Sequence, residues 1–75
     1  MSAIDSVINP IQAWRKKHGL KRAQAIMVLA LSSDGYAKQH AGVTPISAQS
    51  WRIMEMFDLM SEAERAILVQ RVAGE

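Results

Sequence analysis

A chain of 75 residues without cysteine holds one domain at most, and neither disulfides nor thiolate metal sites can support it. A fold this short buries only about 60% of the surface its unfolded chain exposes, so a partner subunit is expected to add to its stability. The net charge of +2 conceals a split: residues 1–42 carry six Lys/Arg against Asp5 and Asp34, and residues 43–75 carry three Arg against five acids, as expected where one end faces a polyanion.

Residues 1–8 include Ile4, Val7 and Ile8, enough for a short arm or an extra turn without dictating either. Asn9 followed by Pro10 is a helix start, because Asn accepts from the orphan N–H groups of a first turn and Pro at the first position lacks only an N–H that would be unpaired anyway. The helix PIQAWRKKH then ends at Gly19, with Ile11 and Trp14 on one face and Leu20 just beyond. Arg15, Lys16, Lys17 and His18 put positive charge where the helix dipole favours it.

A second helix is predicted from Arg22 to Ala30. Its residues are apolar over most of the circumference, which predicts burial on several sides. A short, polar third helix follows from about Ser33 to His40, capped by Ser32 or Ser33 and stopped by Gly42. Asp34 and Gly35 are poor helix formers, so this segment needs support from its neighbours.

Thr44-Pro45 turns the chain, and Ser47 is placed to cap a fourth helix, AQSWRIMEMFDLM. Ser61 and Glu64 form a capping-box pattern at the head of a fifth, in which Ala63, Ile67, Leu68 and Val72 are apolar. No alternation of strand type and no internal repeat appears. The reading is an all-α bundle of about five short helices in a single domain, 1–75, with 9–42 as the first helix plus a helix-turn-helix and 44–75 as helices for the core and a dimer contact. Trp14 and Trp51 are read as core residues, and Met54, Met56 and Met60 as core or dimer packing.

Two helices joined by a tight turn, the second short and polar, describe a helix-turn-helix. Residues 9–47, NPIQAWRKKHGLKRAQAIMVLALSSDGYAKQHAGVTPIS, resemble the Xre/Cro type of phage and bacterial repressors, of lambda-repressor-like fold. The matching features are Arg15 in the first helix, His18-Gly19-Leu20 at its end, Leu29 in the second helix, Ser32 opening the recognition segment, Tyr36 as its buried residue and Gly42 closing it. The resemblance implies that the third helix enters the major groove with Ser33, Asp34 and Lys38 outward against base edges, and that Arg22 contacts phosphate or supports a base contact. Gly35 would let the backbone approach the duplex. The chain departs from the family at Ile26, where a small Ala is usual, at Ala30, where many members have Gly, and at His40, where a Glu usually pairs with the first-helix arginine. Arg15 is thereby expected to turn to phosphate.

The functional expectation is a sequence-specific DNA-binding transcriptional repressor, acting as a cytoplasmic homodimer on double-stranded DNA. Arg15, Lys16, Lys17, Lys21 and Arg22 are the expected phosphate contacts, and Trp51, Met54, Phe57, Met60, Ile67 and Leu68 the expected dimer contact. The alternative is a protein-binding module whose Met-rich fourth helix engages a host regulator or polymerase. An enzyme is disfavoured, since the chain has no cysteine nucleophile, no Gly-rich phosphate loop and little room for a ligand pocket. His18 and His40 are too few and too far apart to suggest a metal site, and no cofactor or small-molecule substrate is expected. The longest apolar run falls far short of the ~20 residues of a membrane span, and the acid in MSAIDSVINP stands where a signal peptide has a basic start.

Overall fold

The computed structural model describes residues 9–74, and the readings of Ile4, Val7 and Ile8 lie outside that range. The described residues form an all-α fold of five helices: α1 (Pro10–Lys17), α2 (Arg22–Leu29), α3 (Ser33–Ala41), α4 (Ala48–Leu59) and α5 (Glu62–Ala73).

Local chemistry accounts for most of the boundaries. Asn9 Oδ1 accepts from the N–H groups of Ile11 (2.8 Å) and Gln12 (3.4 Å), and Pro10 occupies the first helical position of α1. Gly19 turns the chain with φ +63°, and the Leu20 N–H returns to the Arg15 carbonyl at 3.0 Å. At the head of α2 the Lys21 N–H donates to Gln24 Oε1 at 2.8 Å. Ser32, Ser47 and Ser61 cap α3, α4 and α5 through their hydroxyl oxygens. At α5 the box is complete, with the Ser61 N–H donating to Glu64 Oε1 at 2.8 Å. These bonds hold the Glu64 carboxyl below its usual range.

Packing then joins the pieces. α2 lies against α4 and α5, and α1 lies against α3. Ile11, Trp14, Ala25, Val28, Leu29, Tyr36, Met54, Phe57 and Val69 make the core. Trp14 meets Phe57 edge-on at 5.3 Å between ring centroids, and His18 meets the same ring at 4.9 Å, so one aromatic cluster ties α1 to α4. Such contacts stabilise beyond the area they bury. His18 also places Nε2 2.5 Å from Asp58 Oδ1, with its side chain almost fully buried.

A polar node fixes α3. Gln39 is buried, its carbonyl accepts from Asn9 Nδ2 at 2.9 Å, and its Oε1 accepts from Ser50 Oγ at 2.9 Å and the Ser47 N–H at 3.2 Å. One side chain and one carbonyl thus tie α3 to the first turns of α1 and α4.

Three expectations need correction. α2 is not buried on several sides, because α4 and α5 cover Ala25, Val28 and Leu29 while Ala23 and Met27, four residues apart, stay exposed. Trp51 is no core residue: it is 45% exposed, since the inward face of α4 is taken by Ser50, Met54 and Phe57. Met54 and Phe57, expected at a dimer contact, lie inside the protomer's own core, which removes them from any surface offered to a second subunit.

Candidate nucleic-acid interface

The sequence of α3 sorts its residues onto two faces. Tyr36 and Gln39 point inward and are buried, while Ser33, Asp34, Lys38 and Ala41 are exposed. The helix is weak by composition, yet its ends are well held. Ser32 Oγ accepts from the Gly35 N–H at 3.0 Å, and beyond Gly42, at φ +80°, the Val43 N–H reaches the Lys38 carbonyl at 2.9 Å. A Cβ at Gly35 would stand 3.1 Å from the capping Ser32 Oγ, a tight contact from which the serine side chain would have to yield by a few tenths of an ångström.

The turn before α3 carries the one positive φ among the described non-glycine residues, at Ala30 (φ 57°, ψ 40°). This is the position at which the resemblance expects Gly, and the left-handed conformation costs an L-residue about 1–2 kcal/mol. Gln49 supports the turn from α4, donating Nε2 to the Leu29 carbonyl at 3.0 Å.

Of the residues expected to meet base edges, Asp34 and Lys38 are brought together: Lys38 Nζ lies 3.2 Å from Asp34 Oδ2, and both side chains are exposed. Ser33 stands at the edge of the same outward face.

The expected phosphate contacts divide. Arg22 lies over the ring of Tyr36, 5.0 Å from its centroid, and His40 stacks on that ring at 5.4 Å. Arg15 is half-buried beside them; its Nη1 donates to the Leu20 carbonyl at 3.3 Å, and its Nε is buried with no partner. No carboxylate lies within ion-pair distance of either guanidinium among the described residues. Burial, with the two arginines adding to it, pushes the His40 imidazole below its ordinary value of 6.5. Burial raises the Tyr36 phenol against the opposing pull of the same arginines, and its hydroxyl has no partner. Lys16 and Lys21 are exposed. Lys17 is drawn the other way, to Asp58 Oδ2 of α4 at 3.7 Å, and so stands apart from the group around α3.

Compared with protein-family models, curated proteins and solved structures, the chain matches none.

Two open clefts lie away from the outward face of α3, which corrects the expectation of little room for a ligand. One, of about 490 Å³, is lined by Lys17, His18, Gln24, Glu62 and Arg65 among others. The second, of about 310 Å³, runs between α1 and α4 with Trp14, Trp51 and Met54 on its walls. Among the described residues no group of three or more His, Cys, Asp or Glu is gathered as a metal site would require, and no helix is long and apolar enough to cross a membrane.

Sequence reasoning missed the Arg22–Tyr36–His40 stack and the Gln39 node. The spacing of Tyr36 and His40, four apart on a helix, was a signal for their contact. Nothing in the sequence placed Arg22 over that ring, because the contact depends on how α2 and α3 meet.

Proposed function

We propose that this chain is a DNA-binding regulator that sets α3 into the major groove. The observation that carries the reading is the division of α3: Tyr36 and Gln39 anchor one face, while Asp34, 78% exposed, and Lys38, 51% exposed, face outward on the other. Two further features support it. Among the described residues no acid neutralises Arg15 and Arg22, which flank α3, and such cations serve phosphate oxygens. The resemblance of residues 9–47 to Xre/Cro-type repressors points the same way.

In this reading phosphate contacts by Arg15, Lys16, Lys21 and Arg22 position the protein, and α3 reads base edges. Two copies meet through the exposed Trp51 and Ile67 and the partly buried Met60 and Leu68. Their recognition helices then stand about one DNA turn, ~34 Å, apart. Repression of a phage or bacterial promoter in the cytoplasm follows from the family the sequence resembles.

A second reading, a module that binds a host protein, is favoured by one observation. Met56 and Leu59 on α4 are 65% and 86% exposed, and apolar side chains so placed suit a protein partner. A mobility-shift assay with mixed genomic fragments at two salt concentrations separates the readings. DNA binding predicts retention of selected fragments that weakens steeply with salt. The alternative predicts no selectivity among fragments and recovery of a host protein on the immobilised chain.

A further inference from the structure

Asp34 poses a problem for any DNA-binding role, because it sets an acid on the face that would meet a polyanion. A lone carboxylate there is repelled by the phosphates along both walls of the groove. Lys38 resolves the conflict: its ammonium stands 3.2 Å from the Asp34 carboxylate, one helical turn along, so the pair has no net charge. Both groups are exposed, and by helical register the small Ala37 and Ala41 share their face, with Ser33 at its edge. The ammonium and carboxylate are therefore the longest groups on that face of α3.

Resting on the DNA-binding reading above, we infer that Asp34 and Lys38 act as one unit that reads a single G·C base pair. In the major groove guanine offers the acceptors O6 and N7, and cytosine the N4 amino donor. O6 and N4 are hydrogen-bonded to each other and stand about 2.9 Å apart, the ordinary N–H···O distance. An ammonium and a carboxylate 3.2 Å apart match that edge. Lys38 donates to O6 and N7, and Asp34 accepts from N4.

The same order of charges discriminates against the other three pairs. C·G and A·T present donor and acceptor in reverse, so the ammonium meets an amino group and the carboxylate meets a carbonyl. T·A keeps the order, O4 then N6, but it sets the thymine methyl where Lys38 would find a second acceptor. It also puts adenine N7 beside the carboxylate. Only G·C satisfies both partners.

The test is a selection of bound sequences from a library of random duplexes, using the full chain, the neutral variants Asp34→Asn and Lys38→Gln, and the reversed double variant Asp34→Lys/Lys38→Asp. Helical circular dichroism is recorded for each. The parent is expected to fix G·C at one position of its motif, with affinity about 5- to 150-fold above the other pairs. Each neutral variant should lose that preference and keep the rest of the motif. The reversed variant should select C·G at the same position, and should it fail to fold, the neutral variants decide. Neutral variants that keep the parent's G·C preference, or a parent motif without such a position, would overturn the pair while leaving DNA binding in place. A parent that enriches no sequence overturns both.

Discussion

Ser50 Oγ donates to Gln39 Oε1 at 2.9 Å, and both residues are buried. The bond joins α4 to α3 at the point where α3 is also tied to the N-cap of α1. Burial raises its importance, because an unpaired group there would have no water to turn to.

Gln39→Leu is expected to lower stability by about 1–3 kcal/mol, since it leaves the Ser50 hydroxyl without its buried acceptor and takes the same oxygen from the Ser47 N–H. The double variant Gln39→Leu/Ser50→Ala should recover part of that loss, because a matched pair of apolar groups leaves fewer polar atoms unsatisfied. Urea midpoints of the parent, Gln39→Leu, Ser50→Ala and the double variant measure it. A Gln39→Leu midpoint equal to the parent's would show that the node carries no weight.

Ala30→Gly is expected to do the opposite. Ala30 holds φ 57°, a conformation open to Gly at little cost. Removing the methyl group should stabilise the fold by about 1 kcal/mol, read as a rise in midpoint temperature of about 4–8 °C for a domain of this size. A fall in that temperature would contradict the strained turn.

The pH dependence follows from His40. Its pKa in the folded state is below the unfolded value of 6.5, first because of burial and then because of Arg15 and Arg22. Above 6.5 the ring is neutral in both states and costs nothing. As pH falls through 6.5 the unfolded chain takes up the proton first, stability declines, and the loss levels off below the folded pKa. Stability curves from pH 8 to pH 4 should therefore drop more steeply for the parent than for His40→Gln, and parallel curves would refute the assignment.

Much of the fold was legible because its boundaries are local chemistry. Asn9-Pro10, Ser47 and the Ser61/Glu64 box announce helix starts through side chains that bond their own first turns, and the structure uses all of them. The fate of apolar residues on α4 was not legible. Periodicity marks Trp51, Met54, Met56, Phe57 and Leu59 alike as apolar, and only the placement of α1, α2 and α5 decides that Met54 and Phe57 are covered while Trp51, Met56 and Leu59 are not. The site divides the same way. The outward face of α3 could be read from helical spacing, whereas the pairing of Lys17 with Asp58 joins residues 41 positions apart that no local pattern connects.

That separation yields the prediction that distinguishes one expected phosphate contact from another. If α3 faces the duplex, Arg22, stacked over Tyr36 of that helix, stands close to the backbone on either side of the groove. Lys17 instead leans towards α4. Affinity for a selected duplex is expected to fall linearly on a log–log plot against salt, with each phosphate contact adding about 0.9 to the slope. Arg22→Gln should reduce the slope by about 1 and weaken binding to all sequences by a similar factor. Lys17→Gln should leave the slope at the parent's value. Fluorescence anisotropy of a labelled duplex at four or more salt concentrations reads both. The reverse result, a slope changed by Lys17→Gln and not by Arg22→Gln, would put the DNA against the α1–α4 side and remove α3 from the groove.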